Sequence, residues 1–446
     1  MAVHVFVGPS CPEPLVRQHH PDVVVHGPVR HGDLFPRMFA AGDVVVIVDG
    51  IYHHRLALRH KEILDALSRG VSVLGAASIG ALRAAELDRS GMTGVGRIYG
   101  WYRDGVFDGD DAVSVAHGET GSLTGLNVPL VNLYTAVMTA QEAGVLTPEA
   151  VRDLMRHTER EYYPLRTRER ILAVARERGQ NAFADWYAEH LAADPAAFDQ
   201  KRADALEALA LAERLHSRAP QTTSPPSTTG RPRTGRLTGG TVATTARDWR
   251  TEYHRRWRNA FAPDDSALRH RVAYQQIFAE DFPDTWWEYL RRHTPAAPDG
   301  AARGLRDHVL HHLGPAAGDW YDDPAMRPRI TALLCPLPDL TDPDEVKLLL
   351  RHESAEDRAR VTEWLELTRR HLDAHPERSL TQISDATCAR LLRLIRRVDT
   401  DAALLTQCAR RGLPSLSRAA LALRPFALGC LSSLKAPAPV GGEAHA

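Results

Sequence analysis

Lysine is almost absent from this sequence. Of 55 basic residues only Lys61, Lys201, Lys347 and Lys435 are lysine, and the rest are arginine. Cysteine is scarce as well. Cys11, Cys335, Cys388, Cys408 and Cys430 are odd in number, scattered, and form no CxxC. That spacing excludes a disulfide framework and a cysteine-based zinc site. No apolar run reaches the ~18 residues that a spanning helix needs. The first residues run straight into a strand pattern, with no basic and apolar leader before it. A reducing cytoplasm is the expected compartment, with no membrane partner. An excess of charge is missing too: 55 Lys and Arg face 56 Asp and Glu, for a formal net charge of -1. A chain-wide cationic footprint for nucleic acid is not to be expected from such a balance. The arginine bias has two explanations. One is codon usage across a genome. The other is a set of forked contacts to phosphate or carboxylate, which a guanidinium suits better than an ammonium.

What is present divides into pieces. At 446 residues the chain exceeds the roughly 250–300 at which single cores stop growing, so two domains are expected. Residues 1–150 alternate strand and helix patterns. His4 to Val7 is β-prone and ends at Gly8-Pro9-Ser10. Asp43 to Val48 (DVVVIV) is a β-branched run of the kind buried on both faces, ending at Asp49-Gly50. A helix is predicted over Leu56–Arg69, a strand over Val71–Leu74, and a second helix over Ile79–Arg89, closed by Gly91. Strand, helix, strand, helix implies a mostly parallel, Rossmann-like α/β sheet. Helices follow to residue 216. Residues 217–247 are rich in Pro, Ser, Thr and Gly and read as a disordered linker. Residues 248–436 read as a helical domain, its clearest helix over Pro343–Ala374, and residues 437–446 as a flexible tail.

Several side chains in the first domain could carry chemistry. Ser78 follows a strand and opens a helix in Gly75-Ala76-Ala77-Ser78-Ile79-Gly80. A-x-S-x-G is one substitution from the nucleophile elbow G-x-S-x-G. The same serine also suits a helix cap, or an anion held at a helix N-terminus. His60 shares a predicted face with Ile63, Leu64 and Leu67, so it is expected to lean toward the sheet, as a core histidine or a general base. Lys61 stands four residues before Asp65, either paired with it or free to hold an anion. Asp49 ends the most hydrophobic strand, as a turn former or a site carboxylate. Asp108-Gly109-Asp110-Asp111 precedes a strand-like Ala112–Ala116 and then His117. These acids are solvated turn residues, or hold magnesium, or orient His117. There is no Walker A sequence, and no G-x-G-x-x-G follows a strand, so no known nucleotide cradle is visible and no cofactor is expected on this chain.

From His60 to Gly118 the sequence resembles the TfuA-like family. The likeness rests on His60-Lys61-Glu62-Ile63-Leu64, on Gly75 through Leu87, on Gly91-Met92-Thr93-Gly94-Val95-Gly96, on the Asp108–Asp111 acids and on Val115-Ala116-His117-Gly118. Val5 to Ser10 and Val48-Asp49-Gly50 fit the family's opening, so the resemblance spans roughly residues 3–145. It implies a partner of a YcaO-type enzyme in backbone thioamide formation on a ribosomally made peptide, with ATP and magnesium on that enzyme. It further implies recruitment and hydrolysis of a thiocarboxylated ubiquitin-like sulfur carrier, releasing sulfide; a precursor peptide is a further candidate partner. On that footing Ser78 receives the thiocarboxylate, His60 or His117 is the base, and Asp49 orients it. Lys61, Ser10, Gly75, Ile79 and Arg83 then hold the anionic tail. A persulfide route through Cys11 is a further option, though the family's opening does not require cysteine there. The competing expectations are a non-catalytic adaptor and an unrelated α/β hydrolase.

Overall fold

A computed structural model describes residues 2–35, 39–51, 56–116, 127–218, 252–261, 266–293, 305–315, 323–334 and 336–435. The chain divides into two units, Met1–Trp249 and Arg250–Ala446. The predicted linker falls outside the described residues from position 219 onward, as does the tail at 437–446. Ser217 and Arg218 still belong to a helix.

The first unit is built on five parallel strands in the order β2-β1-β3-β4-β5. These are β1 (Val3–Phe6), β2 (Val24–His26), β3 (Val44–Ile47), β4 (Ser72–Gly75) and β5 (Thr93–Gly94). The intervening helices are α1 (Glu13–His19), α2 (His60–Ser68) and α3 (Ile79–Leu87), and α4 (Gly96–Arg103), α5 (Leu130–Glu142), α6 (Pro148–Glu159), α7 (Arg168–Glu177) and α8 (Asn181–Ala193) follow the sheet. The expected parallel α/β sheet is therefore present. Every residue of β1 and β3 is buried, as a β-branched run covered on both faces requires. On one face Phe6, Val45, Ile47 and Val73 pack with Ile63, Ala66 and Ile79. On the other, Val5, Val44, Val46 and Val48 meet Val16 and a late helix, α9 (Gln200–Arg218). Ala205, Ala208, Leu209 and Ala212 of α9 recur at helical spacing, so one narrow stripe of that helix covers the sheet. Each valine buried this way contributes about 1.5 kcal/mol or more.

Several predicted elements differ in extent. The Leu56–Arg69 helix begins only at His60, because Glu62 reaches back to accept the Arg59 amide at 3.1 Å and starts the helix there. The Ile79–Arg89 helix ends at Leu87; Asp88–Ser90 tightens to a 3-10 turn closed by Gly91 at φ 103°. Ala112–Ala116 is not a strand. Asp110–Ala112 forms a 3-10 turn, and Asn127 then takes the place of a neighbouring strand. Its amide donates to the Ser114 carbonyl at 3.2 Å, and its oxygen accepts from the Ala116 amide at 2.8 Å.

The second unit is helical among its described residues, from Glu252–Phe261 to Ala427–Lys435. Tyr274, Trp364, Leu404 and Phe426 share one core, and Trp286, Tyr289 and Leu340 another. The long helix predicted over Pro343–Ala374 is two, Pro343–Leu349 and Ala355–Ala374. Ser354 opens the second with a capping box to Asp357, a start signal stronger than the continuing apolar pattern.

An imidazole pair makes the first unit sensitive to acid. His4 Nδ1 lies 3.1 Å from His26 Nε2, so one ring must donate and the other accept. Burial, then the neighbouring His26, hold the His4 pKa below its ordinary value, with Asp43 opposing. Burial lowers His26 as well, with Asp33 opposing. The unfolded chain therefore takes up these protons at higher pH than the folded one. The stability contributed is complete above about pH 6.5 and is lost as pH falls through the lowered folded values. Thermal melts from about pH 7.5 down to 5 are expected to show falling midpoints, and His26→Gln to flatten that slope. An unchanged slope in the variant would show that the pair does not couple folding to protons.

Candidate functional site

In an open parallel sheet the ligand crevice lies beyond the carboxyl ends of the strands, where the strand order reverses. Here β1 sits between β2 and β3, so the reversal falls between β1 and β3. The residues that leave those two strands are Gly8-Pro9-Ser10 and Asp49-Gly50.

Asp49 ties the two turns together. It is buried, at 3% exposure. Its Oδ2 accepts from the Gly8 amide at 2.8 Å and the Ser10 amide at 3.0 Å, and its Oδ1 accepts from Ser10 Oγ at 2.6 Å. Lys201, from the first turn of α9, approaches from the far side. Its Nζ lies 4.0 Å from Asp49 Oδ1 and donates to the Val113 carbonyl at 2.7 Å. The ammonium is buried, and burial lowers its pKa below the ordinary lysine value against the opposing pull of Asp49 and Asp199. The Lys201 amide donates to Asn132 Oδ1, and Asn132 Nδ2 donates to Asp199 Oδ1 at 3.1 Å. A cavity of about 440 Å³ opens beside these groups, lined among others by Ser10, Asn127, Asn132, Arg168, Tyr187 and Lys201.

Ser78 occupies a different turn. It is 3% exposed and precedes α3, but its side chain makes no capping hydrogen bond. The Ser78 amide donates to the Ala76 carbonyl at 2.7 Å, and Ala77 between them has φ 65°. A positive φ on a residue with a Cβ is strained by about 1–3 kcal/mol. Strand, strained turn and helix thus occur as an elbow needs, although the hydroxyl is buried rather than presented. The amides nearby are engaged: Gly80 donates to the Val48 carbonyl at 3.3 Å, and Ala81 and Leu82 donate to the Ser78 carbonyl. Gly75 sits where a Cβ would meet the Gly80 carbonyl oxygen at 2.1 Å, and Ile79 packs over Gly50. Ser78 does not line the cavity beside Lys201.

His60 does not lean toward the sheet. Its side chain is 46% exposed and its Nε2 lies 2.8 Å from Glu86 Oε2, which also accepts from Arg83 Nη1 at 2.6 Å. Burial raises the Glu86 pKa, but the hydrogen bonds from His60 and Arg83 outweigh it and leave a net lowering. Asp49 therefore orients Ser10 and the turn after β1, not His60. Asp65 is bridged by Arg69 at 3.0 Å, and Lys61 is half-buried on α2. His117 lies outside the described residues; Ala116 and Asn127, on either side of that stretch, are hydrogen-bonded to each other. Of the acids, Asp111, at the surface, joins the buried Arg166 at 2.7 Å. Among the described residues no group of three or more His, Cys, Asp or Glu side chains is gathered as a metal would require.

Lys201, Asn132 and Asp199 escaped the sequence reading. The available signal was the scarcity of lysine: one of four in an arginine-rich chain, at the start of a helix. Glu62 belongs to the motif His60-Lys61-Glu62-Ile63-Leu64. It is fully buried and accepts from the Gly32 amide at 2.7 Å.

Against known families, the model described as TfuA-like protein matches residues 49–167. That stretch begins at Asp49 and includes Asn127 and Asn132 of the cavity wall. No curated protein matches the chain.

Proposed function

We propose, from the premise that the chain belongs to the TfuA-like family through residues 49–167, that it works beside a YcaO-type enzyme in forming backbone thioamides. Its own part is to release sulfide from a thiocarboxylated ubiquitin-like sulfur carrier. The observation that carries this reading is the family match. The buried Asp49–Ser10–Lys201 arrangement beside a cavity supports a binding role for the same end of the sheet. In the reaction a water oxygen bonds the thioacid carbon and the carbon–sulfur bond breaks; the tail is left as a carboxylate, one water proton leaves with the sulfur as hydrosulfide, and the other goes to solvent. Ser78 supplies the attacking oxygen if the path is covalent, with water then cleaving the acyl-serine.

A second reading is a non-catalytic adaptor that presents the carrier or activates the YcaO enzyme. One observation favours it. Among the described residues no histidine or carboxylate hydrogen-bonds the Ser78 hydroxyl, and His60 is committed to Glu86.

Incubating the full chain with thiocarboxylated carrier alone, without a YcaO enzyme, separates the two. The hydrolase reading expects sulfide in step with added protein, and a drop of about 100-fold or more in Ser78→Ala. Sulfide release at the wild-type rate by Ser78→Ala rules out the serine as nucleophile, and no release from the wild type leaves the adaptor. Cys11→Ser is expected to match the wild type. Its thiol is fully buried and pushed up to about 11, first by burial and then by Asp49, so little thiolate exists to form a persulfide. Lost activity in that variant would reinstate the persulfide route.

A further inference from the structure

The contacts of Lys201 match its charge only in part. It stands in the first turn of α9, where a cation opposes the helix dipole, so helix stability does not call for it. The residue is 2% exposed, and its ammonium has three donors. Among the described residues only the Val113 carbonyl accepts one of them; Asp49, at 4.0 Å, is beyond hydrogen-bond distance. Asp49 is moreover occupied by two amides and a hydroxyl. A buried, under-paired cation is costly unless something else pairs with it.

The cavity next to it has the matching shape and charge. About 440 Å³ suits a small ligand or the last few residues of a chain. Pro9, Pro129, Val115 and Val128 supply apolar wall, and Lys201 and Arg168 supply positive charge. Among the described residues of the lining Asp199 is the one carboxylate, and it already accepts from Asn132 Nδ2 and the Arg202 amide.

We infer that this cavity binds the carboxylate-type end of a slender peptide tail, with the anion against the Lys201 ammonium. A thiocarboxylate is the same charge on a larger atom and fits the same site. The identity of the tail as that of a sulfur carrier rests on the proposed function; the chemistry of the site does not. Lys201 lies beyond the matched family stretch, so the site is completed by a helix that follows it.

Calorimetric titration of the full chain with a synthetic peptide ending in Gly-Gly tests this. The same peptide ending in a carboxamide is the comparison. The free acid is expected to bind at least about ten-fold more tightly, the scale of one charge-assisted hydrogen bond. That preference should vanish in Lys201→Met. In Leu191→Trp, which puts a larger side chain into the cavity wall, binding of the acid should be lost. Equal affinity of the wild type for acid and amide overturns the inference, as does an acid preference that survives Leu191→Trp. These two results decide the matter even if Lys201→Met fails to fold. The sulfide assay separates this inference from the function. Acid selectivity that depends on Lys201, without sulfide release, keeps the site and discards the hydrolase. Sulfide release unchanged in Lys201→Met keeps the hydrolase and discards the site.

Discussion

Gly80→Ala is expected to unfold the first unit. A Cβ at this position would stand 1.8 Å from the Ile47 carbonyl oxygen and 2.6 Å from its carbon. Both are backbone atoms in the middle of the sheet, so no rotamer change relieves the clash. The first turn of α3 would have to lift off β3. The Gly80 amide would then lose the Val48 carbonyl, and Ile79 would withdraw from its core. Losses above about 4 kcal/mol are exceptional for one substitution, but a forced backbone separation is among the causes that produce them. With total stability of about 5–15 kcal/mol, most of the population would be unfolded or close to it. Circular dichroism melts and limited proteolysis of the full chain read this directly. Gly100→Ala is the control. It lies inside the helix Gly96–Arg103, a Cβ there meets nothing within 4 Å, and it should be neutral or stabilising by up to about 1 kcal/mol. A Gly80→Ala protein within about 1 kcal/mol of the wild type would refute the close approach.

Asp49→Ala is expected to destabilise the same unit by about 3–5 kcal/mol and, on the proposed function, to abolish sulfide release. The carboxylate is the acceptor for the Gly8 and Ser10 amides and the Ser10 hydroxyl. Each buried donor left alone costs about 1–3 kcal/mol. The substitution also takes away the carboxylate closest to the buried Lys201 ammonium. Asp49→Asn keeps a carbonyl acceptor but turns an amide toward groups that donate, so it should fall between. Urea unfolding at unchanged m-value gives the comparison. A double-mutant cycle with Lys201→Met isolates the charge coupling: the second loss should be smaller once the first partner is gone. Wild-type stability in Asp49→Ala would mean that the turn after β1 is held by something else.

β1, β3 and β4 were legible because they are short apolar runs closed by glycine; β2, three residues at the edge of the sheet, was not. The end of the sheet that matters was legible too. Gly8-Pro9-Ser10 and Asp49-Gly50 announce themselves as small-residue turns at strand ends. What approaches those turns was not. Lys201 reaches Asp49 from α9, after seven helices and turns that place it only through tertiary packing, and no spacing rule encodes such a meeting. His60 misled for a local reason. Side chains at the start of a helix lean back toward its N-terminus. The apolar stripe it seemed to join begins in earnest at Ile63, and His60 meets Glu86 of α3 instead. Asp65 had two basic residues at four-residue spacing, Lys61 and Arg69. Arg69 meets Asp65 at 3.0 Å, and its fork also reaches the Phe39 and Leu34 carbonyls, contacts that no spacing shows. β5 holds only Thr93-Gly94, too short for alternation to register, and Ser354 divided a helix that the apolar pattern ran together.

The stripe of alanines on α9 sets a limit on how this protein can be cut. A fragment ending at residue 167, where the family match stops, would keep all five strands yet bare Val5, Val44, Val46 and Val48 to water. Such a piece would stick to itself or to its host's chaperones, and a negative binding result obtained with it would carry no meaning. For expression, fusion or transfer into another pathway, the smallest useful portion of the first unit runs through Arg218, with the lid of the sheet included.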